Sequence, residues 1–256
     1  MQIVVGVDGS KSAQSAAGWA TGAAEALGAE LLEVVVTDGD PPEPKAGGRR
    51  MLVLRGDPRQ QLLAAAGDAS AALIVVGAGH ERWYPALHLG STSHYVAHHA
   101  DRPVAVVPLD RGVFNARHIV VGVDGSPGSA AASRWAGGLA HRVAGDVTAL
   151  FAWQRSAGTM RNVAGGVGCA ADAESACQAW TEELEVAGVL AGISVAEAEP
   201  VRALADAVAS TGAGVLVLGT RGGGGFHSLQ LGSVALRALQ QAPTPVVLVP
   251  PARGLG

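Results

Sequence analysis

Ile3-Val4-Val5-Gly6-Val7-Asp8-Gly9-Ser10 recurs letter for letter as Ile119-Val120-Val121-Gly122-Val123-Asp124-Gly125-Ser126. In both places an apolar run fit for a buried strand ends in a turn, and a serine then stands where a helix cap belongs. Outward from this octet the match continues through Trp19-Ala20 and Trp135-Ala136. It resumes where Leu73-Ile74-Val75-Val76-Gly77 is answered by Val215-Leu216-Val217-Leu218-Gly219, and Leu89-Gly90-Ser91 by Leu231-Gly232-Ser233. Arg102-Pro103-Val104 and Thr244-Pro245-Val246 close the series. Such a long repeat is one domain duplicated in tandem. The expected domains are residues 1–110 and 117–253. The second copy is the longer one, and its extra residues all fall between its second and third strands.

Within each copy, short apolar runs alternate with helical patterns, the signature of a parallel sheet covered on both faces. In the second copy, 118–123 and 147–153 read as strands, separated by a helix that Ser126 caps, that Pro127 starts and that Gly145 stops. An apolar stripe at Ala173, Cys177, Trp180 and Leu184 makes the insertion largely a helix over 171–187. A third strand near 193–198, a helix from Pro200, a strand at 215–218, a helix from Ser233 and a strand at 246–249 complete the unit. The first copy replaces the inserted helix with a Pro/Gly-rich segment at 38–48. The fold class is therefore α/β, as two tandem doubly wound five-stranded parallel-sheet domains of Rossmann-like type. Sheets of this kind bind ligands at strand carboxyl ends where the strand order reverses, here between the first and fourth strands.

Composition narrows the functions. A 48% hydrophobic fraction over 256 residues can bury a real core, so global disorder is excluded. The balance of 18 basic and 22 acidic residues offers no basic stretch, which argues against a nucleic-acid partner. No apolar run reaches the roughly 18 residues of a membrane span, and Met1 leads into a strand with no basic leader region. Cys169 and Cys177, if on one helix, stand about 12 Å apart, beyond disulfide reach. They read as reduced thiols, and the cytoplasm is the expected location.

Glycine, at 36 residues, is abundant, and its densest run is Gly219-Thr220-Arg221-Gly222-Gly223-Gly224-Gly225, followed by Gly232-Ser233. Glycines at positive φ can turn successive N–H groups toward a phosphate, and a helix opening at Ser233 adds its free N–H groups and dipole. Arg221 supplies positive charge. The spacing is neither that of a P-loop nor G-x-G-x-x-G. Gly219-x2-Gly222-x9-Gly232-Ser233, paired with Val123-Asp124 at the end of the first strand, resembles the nucleotide motif of universal stress proteins, and the resemblance covers nearly the whole chain. It implies a tandem, two-domain member that binds ATP, with or without Mg²⁺, as a regulatory stress-response protein and homodimer. Gly122 and Asp124 would then line base and ribose, and Ala152 would offer backbone atoms to adenine. Gly219, Arg221 and Gly222 would contact ribose and phosphate, with Gly232, Ser233 and Val234 on the distal phosphates.

The first copy keeps Gly6, Asp8, Gly77, Gly90 and Ser91 as the elements of a weaker site, yet His80-Glu81-Arg82-Trp83 stands where the second copy has four glycines. A side chain at a positive-φ position is strained, and Glu81 repels phosphate. His94 and His98 share a helix face at metal-compatible spacing, but the sequence completes no ligand set, so neither a metal nor a catalytic residue is assigned. Ser10 and Ser126 read as caps, and Trp19 and Trp135 as core or interface. Alternatives to the ATP reading are a weak ATP hydrolase, a nucleotide-free interaction module with an unknown regulatory partner, and binding of AMP, ADP or cyclic AMP. Nothing beside the phosphate loop reads as a general base.

Overall fold

The computed structural model describes residues 1–39, 50–79, 89–153, 170–222 and 231–251. The chain divides into two units, Met1–Phe114 and Asn115–Gly256. In the first, the order is β1 (Gln2–Val7), α1 (Lys11–Leu27), β2 (Glu30–Val36), β3 (Arg50–Leu54), α2 (Pro58–Asp68), β4 (Leu73–Gly77), α3 (Ser91–His99) and β5 (Val104–Val107). The strands lie in the order β3-β2-β1-β4-β5, every pair parallel. The second unit runs β6 (His118–Gly122), α4 (Pro127–Val143), β7 (Asp146–Trp153), α5 (Ala170–Val186), β8 (Leu190–Glu197), α6 (Pro200–Thr211), β9 (Val215–Gly219), α7 (Ser233–Gln241) and β10 (Val246–Val249). Its strands repeat the arrangement as β8-β7-β6-β9-β10, again all parallel. Strand order reverses between β1 and β4 in one unit and between β6 and β9 in the other. A ligand crevice belongs at those two places.

Continuous apolar strands account for the burial. Ile3, Val4 and Val5 are wholly inaccessible, as are Ile119, Val120 and Val121, because helices cover both faces of the central strands. In the second unit α4 and α5 pack together on one side, while α6 and α7 pack together on the other. Among the described residues, the first unit has no counterpart of α5. Its β3 leaves Leu52 and Val53 exposed.

Two local readings, the start of β8 and the buried stripe of α5, are corrected by the structure, and two others gain detail. α4 ends just before Gly145, and its left-handed cap is Ala144, at φ 50 and ψ 46. Glycine is needed at 145 because a Cβ there would stand 2.5 Å from the Ala116 carbonyl oxygen. β8 starts at Leu190 rather than near 193, and a bulge between Val147 and Thr148 shifts its register, so that Val147 pairs with Leu190 and Thr148 with Gly192. Gly192, a poor strand former, hides that start in the sequence. On α5 the buried stripe is Ala173, Cys177, Thr181 and Leu184, with Trp180 turned partly outward. Thr181 fits because its hydroxyl donates to the Cys177 carbonyl at 2.8 Å. Trp19 and Trp135 share a repeat position but not an environment. Trp19 is fully buried, edge-to-face with Phe114 at 5.1 Å, and Trp135 is partly exposed.

Candidate nucleotide site

The carboxyl ends of β6 and β9 carry the site. After Gly122 the chain turns through Asp124, whose Oδ1 accepts the Ser126 N–H at 3.0 Å, and whose own N–H donates to Ser129 Oγ at 3.3 Å. Ser126 caps α4 by accepting the Ser129 N–H at 3.1 Å. The same hydroxyl donates to the Arg221 carbonyl at 3.3 Å and so ties the loop after β9 to the start of α4. The sequence shows the cap but not this tie, since the two residues are far apart in the chain.

Beyond β9, Thr220 N–H donates to the Val249 carbonyl at 3.0 Å, and Gly232 N–H returns to the Thr220 carbonyl at 2.7 Å. The entry of α7 is thereby held beside Arg221 and Gly222. Gly232 is the N-cap of α7, at φ −73 and ψ 154, and gives no side-chain hydrogen bond to the helix. The N–H groups of the first turn therefore lack the partner that a serine or aspartate cap provides. Together with the helix dipole they form an anion cradle. Ser233 is exposed at its mouth and Val234 half-buried, with Arg221 and Gly222 both exposed.

The glycines serve this geometry differently from the expectation of positive φ. Gly122, Gly219, Gly222 and Gly232 are all absent from the positive-φ conformations. Close approach marks three of them, most strictly Gly219, whose neighbour is backbone rather than a side-chain end that can shift. A Cβ on Gly222 would strike Asp124 Oδ2, one on Gly219 would lie 2.5 Å from the Gly128 carbonyl carbon, and one on Gly122 would lie 2.5 Å from Leu218 Cδ2. Gly128, in the first turn of α4, was missed by the sequence reading; a Cβ there would collide with the Arg221 carbonyl oxygen. Gly128 stands at the second position of α4, where a glycine is ordinary, so the sequence carries no signal of this contact. Ala152 lies in β7 two residues beyond Leu150, the partner of Gly122, and so on the same carboxyl side as Asp124. Gly223 to Gln230 lie outside the described residues.

The first unit repeats the skeleton. Asp8 Oδ1 accepts the Ser10 N–H at 3.0 Å, Ser10 caps α1, and Gly90 N–H donates to the Ala78 carbonyl at 2.8 Å. Gly90 caps α3 at φ −63 and ψ 153 without a side-chain bond, with Ser91 exposed beside it. Gly77 is forced by Ser12, whose backbone oxygen would lie 2.5 Å from a Cβ, whereas at Gly6 a Cβ would meet only the Leu62 side-chain end, at 3.0 Å. Gly79, at φ 102, takes the place of Arg221 and brings no charge. His80 to Trp83 lie outside the described residues.

Other sequence candidates fall away from this site. His94 and His98 stack on α3 with ring centroids 5.9 Å apart. Among the described residues no group of three or more His, Cys, Asp or Glu could hold a metal ion. Cys177 is buried, and desolvation pushes its thiol up to about 12. Cys169 lies outside the described residues. No described helix is long and apolar enough to cross a membrane.

Two doubly wound α/β units, each ending its first and fourth strands at a glycine-lined cradle, define a tandem Rossmann-like protein with one such crevice per unit. Sequence comparison narrows the class: the universal stress protein family matches residues 42–108 and 115–250. A universal stress protein of Mycolicibacterium smegmatis (strain ATCC 700084 / mc(2)155) is 33% identical over 71% of this chain, which spans 63% of that relative's length. A universal stress protein of Mycobacterium tuberculosis (strain ATCC 25618 / H37Rv) is 30% identical over 96% of this chain and 95% of its own. The crystal structure of a universal stress protein from Archaeoglobus fulgidus DSM 4304 superposes with a TM-score of 0.73, at 17% identity, over 97% of this chain and 98% of that one. This chain belongs to the universal stress protein family, in its tandem two-domain form.

Proposed function

We propose that the second unit binds an adenine nucleotide, ATP foremost, with or without Mg²⁺, and that the protein acts in the cytoplasm as a regulatory stress-response binding protein rather than as an enzyme. The observation that supports this most is the uncapped entry of α7. Gly232 leaves the first-turn N–H groups without a side-chain partner, and the loop of Arg221 and Gly222 is fastened beside them. A triphosphate fits donors of this kind, with Arg221 compensating its charge. Asp124, whose carboxylate faces Gly222 at the end of β6, is placed to accept from ribose hydroxyls. Family membership supports the further expectation of a homodimer, which a native-mass measurement tests.

Titration of the full chain with ATP and Mg²⁺ by calorimetry tests the binding. Affinity on the order of micromolar is expected. Replacing Gly232 with aspartate should remove it, because the carboxylate takes the helix N–H groups and repels phosphate. A wild-type chain that binds no adenine nucleotide, or a Gly232→Asp chain that binds it normally, ends this reading.

A further inference from the structure

The corner between the ends of β6 and β7 holds an aromatic side chain that the nucleotide motif does not include. Trp180, on α5, is partly exposed, and its indole lies over the turn after Asp124. A Cβ placed on Gly125 would stand 2.5 Å from Cζ2, 2.6 Å from Cε2 and 3.0 Å from Nε1 of that ring. Gly125 itself adopts φ 75, so a larger residue is excluded there twice, by conformation and by the indole. Phe151 meets Trp180 edge-on, with centroids 5.0 Å apart and planes at 84°, and Phe151 immediately precedes Ala152. The two rings therefore stand where the first two strands of the unit end.

Among the described residues the first unit lacks this feature. Gly9 matches Gly125 in the repeat and adopts φ 82, yet no described residue lies within 4 Å of its Cβ direction. The difference comes from α5, which has no described counterpart in the first unit.

We infer that Trp180 is a specificity-determining residue of the second unit, forming an aromatic wall for a purine base. This inference rests on the nucleotide reading above and deepens it. A flat base beside a fixed indole gains stacking that a phosphate chain alone cannot use, and a purine, with two fused rings, gains more than a pyrimidine. Held by Phe151 and by the turn at Gly125, the indole is already in place before a base arrives.

The test uses the full chain, calorimetry and three probes: ATP, CTP and inorganic triphosphate. Trp180→Leu keeps apolar packing against Phe151 but removes the flat ring. It should weaken ATP roughly tenfold. Inorganic triphosphate should bind it as it binds the wild type, and the preference for ATP over CTP should shrink. Trp180→Phe should retain most of the ATP affinity while losing the change in tryptophan emission that ATP produces in the wild type. That variant also decides the matter if the leucine variant does not fold. Unchanged or tighter ATP binding in Trp180→Leu overturns the inference, tighter binding meaning that the indole fills the base's place. Equal loss of ATP and inorganic triphosphate also overturns it, by showing a purely structural role. An emission change that survives in Trp180→Phe does the same. A wild type that binds inorganic triphosphate but shows no preference for ATP over CTP overturns the wall alone, whereas one that binds no nucleotide overturns the nucleotide reading and the wall together.

Discussion

Gly232 sits at φ −73 and ψ 154, a conformation open to any residue, and among the described residues its Cβ direction meets nothing nearer than the Thr220 carbonyl oxygen at 3.5 Å. Neither strain nor crowding by a described residue demands glycine there. An aspartate at this N-cap would serve the helix slightly better, by a few tenths of a kcal/mol. Gly232→Asp should therefore leave the denaturation midpoint unchanged or raised while lowering ATP affinity roughly 100-fold or more. A destabilised variant contradicts the cap geometry, and one that keeps its affinity contradicts the cradle. Gly219→Ala should behave in the opposite way and unfold the unit more readily, because the added carbon meets the Gly128 backbone at 2.5 Å. The motif's glycines were legible in the sequence, but their reasons were not. A one-letter code cannot distinguish a glycine kept for its φ from one kept for an absent Cβ. Cys177 gives a simpler expectation at the same scale. With its thiol pushed up to about 12 by burial, it stays protonated near neutral pH. Mass spectrometry after brief iodoacetamide treatment should find it unmodified in the native chain and labelled in urea.

Helix α6 shows what charge does for an element. Glu199 is its N-cap, accepting the Arg202 N–H at 2.9 Å, and it also accepts from the Arg237 guanidinium of α7 at 2.8 Å. Desolvation raises the Glu199 pKa, but the N–H groups of Arg202 and Val201 and the charge of Arg237 outweigh it, so the net shift is downward from 4.5. A lowered folded-state pKa stabilises the fold above the unfolded value, and that stabilisation is lost as pH falls through the folded one. Glu199→Ala should thus cost about 1 kcal/mol in urea unfolding at pH 7, and progressively less below about pH 4. A penalty that is constant with pH would assign the loss to packing instead. α5 marks the limit of sequence reading at this scale. Its existence was legible from helical spacing, but the choice between Trp180 and Thr181 for the buried stripe was not. That choice depends on the Thr181 hydroxyl finding the Cys177 carbonyl and on Phe151 meeting the indole, which hydrophobic periodicity does not record.

At the scale of the whole chain, the two units share a topology because they share a sequence pattern, and that much was legible from the repeated octet and the matched segments that follow it. Their expected difference in binding is harder to read. Both keep an uncapped glycine at the helix entry, closed by the same backbone bond: Gly90 N–H to the Ala78 carbonyl at 2.8 Å, and Gly232 N–H to the Thr220 carbonyl at 2.7 Å. The helix end alone therefore does not separate them. Among the described residues, what separates them is Arg221 against Gly79, Trp180 against the absence of any ring over Gly9, and the half-buried Asp124 against the exposed Asp8. Each difference favours the second unit, through charge for the phosphates, a wall for the base and a carboxylate less screened by water. Calorimetry of the full chain should accordingly give one ATP per chain in the micromolar range. Gly90→Asp should leave that isotherm in place, and Gly232→Asp should abolish it. Two equal sites per chain would mean that the helix entries, not Arg221 or Trp180, set the affinity. Loss of the isotherm with Gly90→Asp alone would move the site to the first unit.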